Sequence, residues 1–173
     1  AFDAEYPDGK FLCGGFSNKE GVAYVFYPDE VGIRAFREIL QNPKIAKVVA
    51  SRPADEHIME KEFGIKFAGR IYDVLTMAHV LDENMPKYSL EAVANMYTPL
   101  KNIKDTAEGM RFELNKADRD LQIRYNGTDC DATLRSYKAM KAIYRKNPSL
   151  ALYYGKFIMP VQKALGDMMR VGV

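Results

Sequence analysis

The sequence predicts a mixed α/β domain. Three observations carry that prediction. Three extended stretches open the chain, a short and almost continuous apolar run follows the first helix, and the remainder alternates helical periodicity with turn residues. Three strands, a helix and then a central strand make a mixed sheet flanked by helices, with three antiparallel strands followed by parallel ones.

The elements follow in order. Ala1–Glu5 reads as a short strand that stops at Pro7 and turns through Asp8-Gly9. Lys10–Ser17 and Gly21–Tyr27 are rich in Phe, Val and Tyr and are separated by Asn18-Lys19-Glu20-Gly21, a hairpin signature. Pro28-Asp29 opens a helix carrying Val31, Ala35, Phe36, Ile39 and Leu40 at helical spacing, and Gln41-Asn42-Pro43 stops it. Ile45–Ala50 is the apolar run expected of a strand covered on both faces. Pro53 sits in the first turn of the next helix, where a missing N–H costs nothing, and Gly64 ends it. Ile65–Tyr72 reads as another extended piece. Asp73 caps a helix through Leu81, and Ser89 caps the next. Lys101–Lys116 is charged and weakly periodic, the pattern of a flexible loop. Ala117–Lys146 is helical, with a break expected at Asn126-Gly127. A last helix runs from about Leu150 to Arg170 and ends at Gly172.

At 173 residues the chain is one domain, or one domain with an appendage, long enough to bury a core. With 47% hydrophobic and 28% charged residues it has the composition of an ordinary globular chain. A net charge of +2 excludes gripping duplex nucleic acid by bulk charge, so a nucleic-acid partner would need a local groove, stacking and metal ions. Two distant cysteines, Cys13 and Cys130, point to a reducing compartment and no disulfide framework. No signal peptide or membrane span is visible. With no initiator Met, and a chemistry-bearing strand at the very start, the chain reads as a piece of something longer.

Four acids stand out. Asp3 and Glu5, two apart on a strand, project from the same face. Two carboxylates held that close repel, and a hard divalent cation with oxygen ligands relieves the repulsion. A solvated edge strand is the plain alternative. Asp55 lies in the first turn of a helix after a buried strand, where α/β proteins place their sites, although the helix dipole alone favours an acid there. Tyr125 and Asp129 are one helical turn apart, so a phenol and a carboxylate share one face; a core tyrosine and a surface acid would give the same spacing.

Asp-x-Glu on the first strand, Asp just after a buried strand, and Tyr-x-x-x-Asp on a late helix resemble the motifs of the DEDD exonuclease superfamily, Tyr-type branch. The text between them narrows the resemblance. Ile45–Ala50 leading into Asp55, Ile71–Asn84, and Tyr88–Ala94 are similar to the 3′–5′ proofreading domain of family A DNA polymerases, especially phage ones. Met159–Val173 resembles the helix that opens the polymerase part. The resemblance implies a ribonuclease H-like fold, an exonuclease domain over 1–146, and a segment over 147–173 that begins a polymerase domain. One departure stands out: the family usually has Asn four residues before the second-motif Asp, and here that position is Ser51, followed by Arg52.

The resemblance implies hydrolysis of the terminal phosphodiester at a single-stranded DNA 3′ end, with two divalent cations, Mg²⁺ or Mn²⁺, and release of nucleoside monophosphates. Two ions about 3.5–4 Å apart activate a water and stabilise the leaving oxygen. By similarity Asp3 would bridge both ions. Glu5 and Asp129 would hold the water-activating ion, Asp55 would act on the second, and Tyr125 would orient the water. Ser51 and Arg52 would line the substrate groove. Lys101, Lys104, Arg111, Lys116 and Arg119 are candidates for strand contact or a solvated loop. His57 faces away from Asp55, and His79 reads as a packed histidine. The implied setting is a monomer joined to a family A polymerase, in a bacterial or phage-infected cytoplasm. Two readings stay open beside it: an RNA-trimming exonuclease of the same superfamily, and a catalytically silent scaffold.

Overall fold

Strand β1 (Phe2–Glu5) alternates buried and half-buried positions, as a strand between a core and a cleft should. Phe2 and Ala4 face inward, and Phe2 meets Phe16, Phe36 and Phe67 with ring centroids 5.2, 6.1 and 5.6 Å away. Asp3 and Glu5 face the other way. The structure, a computed structural model, describes residues 1–101 and 113–172. The expected flexible loop lies largely outside the described residues.

β1 pairs antiparallel with β2 (Cys13–Lys19), in a register that sets Asp3 opposite Gly15 and Glu5 opposite Cys13. β2 pairs antiparallel with β3 (Val22–Phe26), and Gly21 turns the hairpin at φ 76°. Helix α1 (Glu30–Leu40) starts where the Asp29 carboxylate accepts the Gly32 N–H at 2.8 Å, and it buries Phe36 and Leu40. β4 (Lys47–Val49) pairs parallel with β5 (Ile71–Asp73). Hydrogen bonding therefore divides the strands into a three-stranded antiparallel sheet and a two-stranded parallel pair, with β4 packed against β1. This is the mixed α/β arrangement the strand order predicts, with a gap in the ladder where one continuous sheet was expected.

Helix α2 (Arg52–Phe63) connects the parallel strands and ends at Gly64 in the left-handed region, φ 64°. Only the last part of the Ile65–Tyr72 stretch is a strand. Upstream of it Gly69, at φ 82°, brings its backbone so close to Pro43 that a Cβ would lie 2.5 Å from the Pro43 carbonyl oxygen. The Asp73 carboxylate caps α3 (Val74–Leu81) by accepting the Thr76 N–H at 2.9 Å, and Ser89 caps α4 (Leu90–Tyr97).

Helix α5 (Arg119–Lys146) crosses both units and runs without a break through Asn126-Gly127. Asparagine breaks helices by bonding nearby backbone, but the Asn126 amide is engaged by β1 and leaves its own helix intact. The C-terminal segment is α6 (Pro148–Tyr153), a π turn (Tyr154–Ile158) and α7 (Met159–Val171). Pro160 has no N–H to bond one turn back, which accounts for the widened turn before it. Tyr154 anchors this segment. It is buried, accepts the Asp73 N–H at 3.2 Å, and packs on Tyr144. No helix among the described residues is long and apolar enough to cross a membrane.

Candidate active site

Three elements deliver the site. β1 presents Asp3 and Glu5, the start of α2 presents Asp55, and one face of α5 presents Tyr125 and Asp129. All five line one cleft of about 490 Å³, with Ser51, Leu75 and Tyr88 among the other walls. Carboxylate oxygens of Asp3, Glu5 and Asp129 lie within 4.8 Å of one another. Asp55 stands just outside that trio.

The electrostatics follow from the crowding. Burial pushes the Asp3 carboxyl well above its ordinary range, and the negative charges of Glu5, Asp129 and Asp55 push it further. Hydrogen bonding between the Asp3 and Glu5 side chains acts in the same direction. Asp55 is raised for the same reasons, burial first, then Asp73 and Glu5, against a hydrogen bond from the Ala4 backbone. Its Oδ2 is buried without a hydrogen-bond partner among the described residues. A buried unpaired carboxylate oxygen beside three more acids is a costly arrangement in water alone. A divalent cation taking oxygen ligands would relieve it, so the donor set fits such an ion.

A family profile described as 3′–5′ exonuclease matches residues 5–144. The chain belongs to that 3′–5′ exonuclease family. The matched span begins at Glu5, so the first acid of the site, Asp3, lies just upstream of it. The DNA polymerase of Escherichia phage T5 is 24% identical over 92% of this chain. The chain spans 22% of the length of that relative. Among solved structures, one described as the apo form of a nuclease superposes with a TM-score of 0.71 at 12% identity, over 98% of this chain and 80% of that one. The polymerase domain of Pol1 from M. smegmatis, in complex with DNA primer-template and dNTP, gives a TM-score of 0.71 at 16% identity, over 100% of this chain and 28% of that one. At these identities the superpositions speak for the fold, which is ribonuclease H-like.

The 3′–5′ exonuclease family gives the remaining residues a frame. Ser51 lines the cleft, and its hydroxyl makes no cap bond to α2. Arg52 does not line it. The guanidinium turns to Glu56, with Nε 3.0 Å and Nη2 3.2 Å from the carboxylate oxygens, and the Arg52 N–H donates to Asp73 at 2.8 Å. Asp73 is therefore a cap for two helix starts rather than a wall of the cleft. His79 is exposed, not packed within the core, and sets its ring edge-on to Tyr88 at 4.9 Å. His57 is exposed and points away from the acids, as its spacing predicts. Arg119 lies over the Tyr27 ring at 4.3 Å, and Lys116 pairs with Glu113 at 3.2 Å. Lys104 and Arg111 lie outside the described residues.

Sequence reasoning missed Asn126. It is fully buried, and its Nδ2 donates to Asp3 Oδ2 at 3.0 Å and to the Asp3 carbonyl at 3.2 Å. It fixes the orientation of the acid most crowded by its neighbours. The available signal was a buried-side amide inside a long helix, next to Tyr125, where asparagine is a poor helix former. Gly15 makes room for it, since a Cβ there would lie 2.3 Å from Asn126 Oδ1.

Proposed function

We propose that the chain is a metal-dependent 3′–5′ exonuclease domain that shortens single-stranded DNA from its 3′ end and proofreads for a covalently linked family A DNA polymerase. The observation that carries this reading is the convergence of Asp3, Glu5, Asp55, Tyr125 and Asp129, from separate parts of the sequence, on one cleft. Membership in the 3′–5′ exonuclease family and the phage polymerase relative support it.

Asp3, Glu5 and Asp129 would hold one divalent cation, and Asp3 with Asp55 a second, as Mg²⁺ or Mn²⁺. Bound there, such ions neutralise the incoming phosphate, activate the attacking water and stabilise the leaving 3′ oxygen. The protein's own groups do the positioning. Asn126 holds Asp3 in one orientation. Tyr125, one turn before Asp129, directs its hydroxyl at the attacking water. Ser51 borders the path of the strand and offers a shorter polar contact than the asparagine usual in the family. The substrate must give up its terminal residue as a nucleoside monophosphate. Residues 1–146 form the exonuclease unit, and 147–173 lead toward the polymerase. The domain acts as a monomer in a bacterial or phage-infected cytoplasm.

The test is a set of 5′-labelled substrates, a recessed duplex, its matching single strand and an RNA of the same sequence, each with Mg²⁺, Mn²⁺ or chelator. The expected result is a metal-dependent ladder shortening the DNA single strand from its 3′ end. Preference for RNA would replace proofreading with RNA trimming. A folded protein that neither cleaves nor binds Mn²⁺ would leave only a scaffold.

A further inference from the structure

Among the described residues, the acid cleft is lined by five carboxylates and no lysine or arginine. A second cleft, of about 550 Å³, reverses that composition. Among the described residues, Arg70, Lys141, Arg145 and Lys156 border it, no acidic side chain does, and it shares no lining residue with the first. Its wall is one face of α5, where Tyr137, Lys141, Tyr144 and Arg145 fall at i, i+4, i+7 and i+8. Arg70 arrives from the approach to β5 and Lys156 from the π turn. The floor is aromatic and apolar. Tyr144 and Tyr154 are buried there with their hydroxyls turned to backbone, Tyr144 donating to the Met77 carbonyl at 3.0 Å.

Two features separate this cleft from a merely basic surface. The first is the charge itself. The dipole at the end of α5 accounts for Arg145 in its last turn, but not for Arg70, Lys141 or Lys156. None of the four forms an ion pair among the described residues. Cations of one sign above a low-dielectric floor focus a field that draws anions. The second is the ring pair. Tyr72 and Tyr137 are half-buried, their centroids 5.0 Å apart and their planes at 45°, with the Lys141 ammonium 5.1 Å from the Tyr137 ring. They offer aromatic rings beside a positive charge.

We propose that this second cleft binds a nucleotide, with the base against Tyr72 and Tyr137 and the phosphate among Lys141, Arg145 and Lys156. A flat ring carrying phosphate is the chemistry that both features ask for, and the volume is in the range of small-ligand sites. The nucleotide is free or is one residue of a single strand. The site stands apart from the acid cleft and does not depend on cleavage there.

The test is photocrosslinking in chelator, with 8-azido-ATP and with an oligothymidylate carrying one 5-iodouracil, followed by peptide mapping. Label on the Tyr72 or Tyr137 peptide is expected. From ATP alone it identifies a free nucleotide, and from the oligonucleotide alone a strand. Lys141→Glu and Arg145→Glu should each lower affinity about tenfold, as loss of one charge-assisted contact does. Gly155→Leu is the second variant. A Cβ at Gly155 meets no atom of the described residues within 4 Å, so the side chain can enter the cleft and block label without lowering the thermal midpoint. Label confined to Tyr6, Tyr88 or Tyr125 of the acid cleft would overturn the proposal. So would displacement by inorganic phosphate or polyglutamate as readily as by nucleotide, which would make the cleft an anion or acidic-peptide surface.

Discussion

Tyr125 and Asp129 share a face of α5, and Tyr125 lines the cleft that gathers the four site acids. On the proposed mechanism, removing its hydroxyl takes away the group that orients the water and no metal ligand. Tyr125→Phe should therefore cut the cleavage rate about 10–100-fold while leaving Mn²⁺ binding unchanged. Single-turnover rates beside a metal titration separate the two, and an unchanged rate would give the water to another group. Asp55 makes a prediction about stability. Its carboxyl is raised in the folded protein, so the fold holds a proton that the unfolded chain releases. That contribution is complete below about pH 4 and is lost as pH rises through the folded value. Asp55→Asn keeps an oxygen for the Ala4 N–H and has no proton to lose. In chelator its melting temperature should gain on the natural protein as the pH rises from about 4 to about 8. A pH-independent difference would contradict the burial argument. The acids themselves were legible, because period two on a strand and period four on a helix are properties of sequence. Asn126 was not, because its partner, Asp3, is 123 residues away in the chain.

Elements were legible where a local signal sets them. Asp29, Asp73 and Ser89 cap the helices their positions predict, and Gly64 ends α2. Local signals failed at tertiary contacts. The break expected at Asn126-Gly127 is absent because the asparagine is used across the fold, and the strand expected from Ile65 starts only at Ile71 because Gly69 is pressed against Pro43. Another such contact joins β2 to α5. Gly15 faces Asn126 and Cys130, and a Cβ there would sit 2.3 Å from Oδ1 and 2.9 Å from Sγ. Gly15→Ala should cost about 1–3 kcal/mol by overpacking, and should also slow cleavage by displacing the amide that holds Asp3. Adding Asn126→Ala removes the nearest obstacle. In a double-mutant cycle by urea unfolding, the pair should be less destabilised than the sum of the singles. Strict additivity would mean that the strand and helix do not meet through this side chain.

Across the whole molecule, the cost of assembling the acids and the benefit of binding a cation are one free energy read in two conditions. β1, α2 and α5 bring Asp3, Glu5, Asp55 and Asp129 together against their mutual repulsion, so the metal-free fold carries a penalty that the unfolded chain does not. An ion that binds only the folded state stabilises it by mass action, about 2.7 kcal/mol at a hundredfold excess over Kd, or about 5–10 °C for a chain of this size. Binding must also displace the protons that the crowded carboxyls hold, so the rise with Mn²⁺ should be larger at pH 8 than at pH 6. Asp3→Ala separates the two halves of the argument. Without metal it should melt at or above the natural protein, because a buried repelling charge is gone. With Mn²⁺ it should show little or no rise, because the acid central to the cluster is missing. Differential scanning calorimetry in chelator and in Mn²⁺, at both pH values, reads all of this. An equal rise with Mn²⁺ in Asp3→Ala would place the ion elsewhere, and a large fall in its metal-free melting temperature would mean that Asp3 supports the fold, through Asn126, more than it strains it.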